Sequence, residues 1–169
     1  MAHSTKIPAI PPAERINTSY KAIVSITPDL HAAARELSGT IDDLNKALGP
    51  LALGVTAWHQ IASNEDENGN YWSRSIGYTA VQHEWCIALK DASGNENYDH
   101  HTETVWAFRD APRWMAIESI AKLPELFETI LERVQETIQK LRARTAQAKE
   151  LLAAVTAAVD EIAPPKAKK

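Results

Sequence analysis

Apolar side chains recur at alternating intervals of four and three residues at both ends of the chain. In the C-terminal segment the series runs Phe127, Leu131, Val134, Ile138, Leu141, Thr145, Ala148, Leu152, Val155, Val159, Ile162, with Thr145 its single polar member. Sustained over about five heptads, this is the seam of a helix that packs in coiled-coil fashion. Glu125, Glu128 and Glu132 crowd its start, where the helix dipole favours negative charge. The N-terminal segment has the same period through Ile16, Tyr20, Ile23, Thr27, Leu30, Ala34, Leu37, Ile41, Leu44 and Leu48. If the two segments run antiparallel, Leu48 faces Phe127, Leu37 faces Ile138 and Ile16 faces Val159, with an apolar match at nearly every layer between. Each helix is then roughly 50 Å long at ~1.5 Å per residue.

Thr27-Pro28-Asp29 reads as a helix start, with Thr27 as N-cap and Pro28 in the first turn. A proline inside a helix costs about 3 kcal/mol. The first helix is therefore expected either to kink near 27–28 or to split into two helices in line.

Between the helices the period changes to two. Residues 51–62, 71–80, 84–91 and 103–109 are rich in Val, Ile, Thr, Tyr and Trp, alternating as in Trp72, Arg74, Ile76, Tyr78. Asn68-Gly69 and Ser93-Gly94 lie in hairpin-like connections, so the simplest topology is an antiparallel meander. Asp110-Ala111-Pro112 opens a short helix that Pro124 ends or bends.

The pattern predicts an α+β chain: an antiparallel two-helix coiled-coil hairpin with an inserted four-stranded antiparallel β-meander head and a short bridging helix. The expected boundaries are a single domain over 14–162, divided into a helix at 14–48, a sheet head at 51–110, a short helix at 111–122 and a long helix at 124–162. Proline-containing stretches at 1–13 and 163–169 read as disordered tails, the second of them basic through Lys166, Lys168 and Lys169.

The chain has 169 residues, 44% of them hydrophobic, enough for a core in one ordinary domain. Its net charge of −4, with both signs interspersed, provides no positive field of the kind that gathers nucleic acid. No segment approaches the roughly 20 apolar residues that span a bilayer, and Met1–Pro12 lacks a secretory layout, so no membrane partner is expected and a cytoplasmic location is. Cys86 is the single cysteine, which excludes an internal disulfide and a zinc site built on several thiolates.

All five tryptophans fall in the head, where they serve either as core or as a contact surface. Tryptophan, tyrosine and arginine are the composition of interface hot spots, so Trp58, Trp72, Arg74, Tyr78, Trp85, Trp106, Arg109, His100 and His101 are the candidate contacts for a partner or ligand. His83, Cys86, Asp99, His100, His101 and Glu103 are the only cluster of groups suited to metal ligation or acid–base work. Their spacing matches no metal or catalytic signature, and adjacent histidines on an extended chain point opposite ways. The acidic loop Asn64–Asn70 fails as a calcium loop, which starting at Asp66 would need glycine and glutamate where Tyr71 and Gly77 stand. No phosphate-binding glycine loop, Gly-x-Ser-x-Gly or His-Glu-x-x-His is present, and no family resemblance emerges. Neither a metal nor a cofactor is expected.

Near the end of the last helix, Leu151, Leu152, Val155 and Val159, with intervening alanines, are apolar around most of the circumference, more than one partner helix covers. That end is a candidate self-association site, with a dimeric four-helix bundle as the simplest closed form. The expected function is a non-enzymatic, homo-oligomeric interaction or ligand-binding protein. The alternatives are a small metal-dependent or histidine/carboxylate enzyme, and a ligand-sequestering inhibitor of the mobile-element kind.

Overall fold

A computed structural model describes residues 11–98 and 100–162, with the side chains of 160–162 outside that description. Of the expected tails at 1–13 and 163–169, residues 1–10 and 163–169 lie outside the described residues, as does Asp99, whereas Pro12 and Ala13 belong to the first helix and not to a tail. The chain is α+β and divides into two compact units, Met1–Lys46 and Ala47–Lys169.

The first unit is almost all of α1 (Pro12–Leu48). Pro11 and Pro12 sit where a missing N–H does no harm, and the Pro11 carbonyl accepts from the Glu14 and Arg15 backbones at 3.0 and 3.1 Å. Helix runs unbroken through Pro28, so the chain does not form two helices in line. Thr27 is not an N-cap. Its hydroxyl donates instead to the Ile23 carbonyl at 2.8 Å, within the turn whose ladder the proline interrupts. The apolar positions of the N-terminal half, Ile16, Tyr20, Ile23, Val24, Ile26 and Leu30, are all exposed and lie along one stripe of the helix.

In the second unit a 3₁₀ turn at Gly49–Leu51 and two left-handed residues, Ala52 (φ 43°) and Gly54 (φ 61°), turn the chain into the sheet. These turns are why the first strand begins later than the composition of 51–62 suggests. The strands are β1 (Ala57–Glu65), β2 (Asn70–Val81), β3 (Glu84–Asn95) and β4 (His100–Ala107), in the order β1-β2-β3-β4 and antiparallel throughout. Between Gln60 and Ala62 the register of β1 shifts by a bulge.

The first hairpin loop is shaped by Asp66. Its carboxylate accepts from the Asn68 and Asn70 backbones at 2.9 and 3.0 Å and from the Asn70 amide at 2.9 Å. Asn95 and Asn97 donate to the Asn68 carbonyl and tie the first loop to the third. The connection from β2 to β3 is a two-residue turn at Gln82 and His83, both with positive φ (51° and 72°).

After β4 come a 3₁₀ turn (Phe108–Asp110), α2 (Arg113–Ser119), a second 3₁₀ turn (Ile120–Lys122) and α3 (Leu123–Ile162). The register puts Ala57, Ile76, Tyr78, Ile87 and Leu89 on one face of the sheet, and all five are buried. The start of α3 packs on β1 and β2, burying Leu126 and Ile130, and Phe108, Met115 and Ser119 are buried as well. Phe127 and Leu131, the seam positions of the same turns, face outward.

Candidate functional site

The large polar and aromatic side chains of the head separate by strand parity. Trp72, Arg74, Asp91 and Trp106 share the face that carries Ile76 and Leu89; Trp58, Lys90, Glu103 and His101 share the other.

On the first face Arg74 and Asp91 are direct cross-strand partners, with Nε 3.5 Å from Oδ1. The Arg74 guanidinium lies 4.4 Å from the Trp72 ring centroid and 4.4 Å from that of Trp114, which α2 brings over the sheet. A planar cation against indole faces is a favourable electrostatic arrangement, and two rings restrict it more than one. Its Nε is buried and makes no hydrogen bond. Trp114 is 46% exposed and Ile117, one turn on, is exposed as well, so the cluster reaches the surface through α2.

On the opposite face the Trp58 ring lies against Gly77, where a Cβ would collide with the six-membered ring. The Lys90 ammonium sits 4.8 Å from the Trp58 centroid and 3.4 Å from the Glu103 carboxylate. Tyr71 and Nδ1 of His101 share a hydrogen bond of 2.6 Å, their rings stacked.

The remaining sequence candidates scatter. Tyr78 is a core residue, 2% exposed and stacked on Trp85, and burial, with Cys86 nearby, pushes its phenol above the ordinary range. Trp85 is partly exposed and Trp106 half-buried opposite Leu89. Arg109 is exposed beside Asp110, at 4.0 Å, and His100 is exposed in the first residue of β4.

The histidine cluster does not assemble. His83 sits in the turn after Val81, whereas His101 pairs with Gly94 near the other end of β3, about eleven residues along the strand at about 3.3 Å each. Among the described residues no group of three or more His, Cys, Asp or Glu side chains is placed to hold a metal ion, and no helix is long and apolar enough to cross a membrane.

Sequence reasoning did not single out Trp114, Asp91 or Lys90. Asp91 was accessible in principle, because the predicted meander puts β3 beside β2. Trp114 reaches Arg74 only through the placement of α2, for which no periodic signal exists.

Leu151, Leu152, Val155 and Val159 are all exposed on α3, the last three of them continuing the seam of the exposed Phe127, Leu131, Ile138 and Leu141. Compared with family models, with curated proteins and with solved structures, the chain finds no match.

Proposed function

We propose that this chain is a non-enzymatic, homo-oligomeric interaction protein. In this reading the seams of α1 and α3 pair antiparallel as a coiled-coil hairpin, the apolar end of α3 closes against a second copy, and the sheet head with its tryptophans and arginines meets a partner.

The supporting observation is the run of large apolar side chains left in water on both helices: Ile16, Tyr20, Ile23 and Leu30 on α1, and Leu131, Ile138, Leu141, Leu152 and Val155 on α3. An apolar stripe of this length is far beyond what a monomer commonly exposes, and at roughly 1.5–3 kcal/mol for each large side chain fully buried its coverage is strongly favourable. The stripe that matches each seam in period and length is carried by this same chain, which supports the hairpin, and a second copy covers the apolar circumference that one hairpin leaves exposed at the end of α3. Symmetric closure of two hairpins into a four-helix bundle leaves no seam uncovered.

Light scattering at micromolar concentration tests this directly: an assembly of at least two chains is expected, and a monomer overturns the reading. Leu152→Glu with Val155→Glu is expected to dissociate the assembly while leaving the far-ultraviolet circular dichroism of the sheet intact. An unchanged mass removes the end of α3 as the interface.

A further inference from the structure

The Trp72–Arg74–Trp114 cluster has a feature that core packing leaves unused. Asp91 approaches Arg74 from the Nε side, at 3.5 Å, and Nε makes no hydrogen bond. Neither terminal nitrogen has a hydrogen-bond partner among the described residues, and the arginine side chain keeps 30% of its surface in contact with solvent. The result is a guanidinium held 4.4 Å from each of two indole centroids, with no hydrogen bond to its two terminal nitrogens among the described residues.

We propose that Arg74 receives a carboxylate from an acidic segment of a protein partner, with Trp114 and Ile117 forming the apolar rim around it. The proposal rests on the reading that the head is a partner-contacting surface. An arginine fork matches a carboxylate in two parallel hydrogen bonds, and packing the guanidinium against two indoles lowers the entropy it loses on binding. A cationic ligand is disfavoured, because the Arg74 guanidinium already lies against both indole rings that would receive it and repels a second positive charge. Charge supports the same choice: Arg113, adjacent to Trp114, is exposed with no ion pair among the described residues, and Arg109 has only the 4.0 Å contact with Asp110. Trp and Arg at the centre with exposed apolar neighbours is the composition of an interface hot spot.

Isothermal titration of the full chain with a hexaglutamate peptide tests the site. Saturable binding is expected, weakened at least about tenfold in Arg74→Gln and in Arg74→Lys, the second of which keeps the charge and loses the fork. A thermal melt of each variant shows whether it is folded, and Arg74→Lys carries the test if Arg74→Gln does not fold. No saturation by hexaglutamate, equal binding in the folded Arg74→Lys protein, or equal saturation by hexalysine overturns the proposal. The titration reads the head alone. A chain that is monomeric by light scattering yet binds hexaglutamate through Arg74 retains this site while losing the assembly, and an assembly indifferent to the peptide does the reverse.

Discussion

Trp58 lies flat on Gly77 of the neighbouring strand, and the absence of a side chain at 77 is what lets the indole reach the sheet surface. The Lys90 ammonium then sits 4.8 Å from the ring centroid and pairs with Glu103. Gly77→Ala is expected to destabilise the protein by about 1–3 kcal/mol, the usual cost of forcing volume into a filled site, because the methyl group displaces the ring from both neighbours. Urea denaturation measures this. A loss below about 0.5 kcal/mol shows that the ring moves aside freely and that Trp58 is not a fixed part of the sheet surface.

The β2–β3 turn stores strain. Gln82 and His83 both occupy the left-handed region (φ 51° and 72°), which costs an L-residue roughly 1–2 kcal/mol and which asparagine and glycine enter readily. Replacing the pair by Asn-Gly is expected to raise stability by about 1 kcal/mol or more, seen as a higher urea midpoint at unchanged slope. A lower midpoint means that the His83 or Gln82 side chain makes a contribution larger than the strain.

Acid sensitivity is expected to centre partly on the first hairpin loop. The Asn70 side-chain amide, followed by the Asn70 and Asn68 backbone amides, holds the Asp66 carboxyl below its ordinary range. The folded pKa therefore lies under the unfolded one, so the contribution is complete above about pH 4 and is lost as pH falls through the folded value. Asp66→Ala is expected to lower the urea midpoint at pH 7, and the difference from the parent protein is expected to narrow as pH falls below about 4. A difference that stays constant over that range shows that the loop geometry, and not the carboxylate charge, is responsible.

The meander was legible because each of its signals is local. Alternation in Trp72–Tyr78 and Trp85–Leu89, together with Asn68-Gly69, specifies strands and turn without reference to the rest of the chain. The start of β1 was misplaced because Ala52 and Gly54 divert a chain whose composition still reads as strand. The choice between one helix through Pro28 and two helices in line stayed open for a related reason: a hydroxyl at position 27 reads equally well as a cap on the next helix or as a donor back into the preceding turn. The clamp on Arg74 joins β2, β3 and α2 across the tertiary structure, and no spacing in the sequence encodes it. The heptad period of α3 was plain, but period alone does not tell which of two adjacent apolar stripes a helix turns toward its sheet.

That last ambiguity yields the sharpest contrast in mutational cost. Leu126 and Ile130 form the stripe that α3 buries in the second unit, with Leu126 at 0% exposure, whereas Leu131, one residue past Ile130, is 57% exposed. Leu126→Ala is expected to cost about 2–5 kcal/mol, because the deletion leaves a cavity in a packed site. Leu131→Ala removes a side chain that touches mostly water within one chain, so its effect on a dilute monomer stays within about 0.5 kcal/mol. If the seam is covered by pairing with another helix, as proposed, the same Leu131→Ala change weakens association instead, and its stability deficit grows as protein concentration is raised above the dissociation midpoint. Urea midpoints measured at two concentrations a hundredfold apart separate the two kinds of position. Equal and concentration-independent losses at 126 and 131 would mean that both leucines belong to one core, and the exposed seam would no longer argue for assembly.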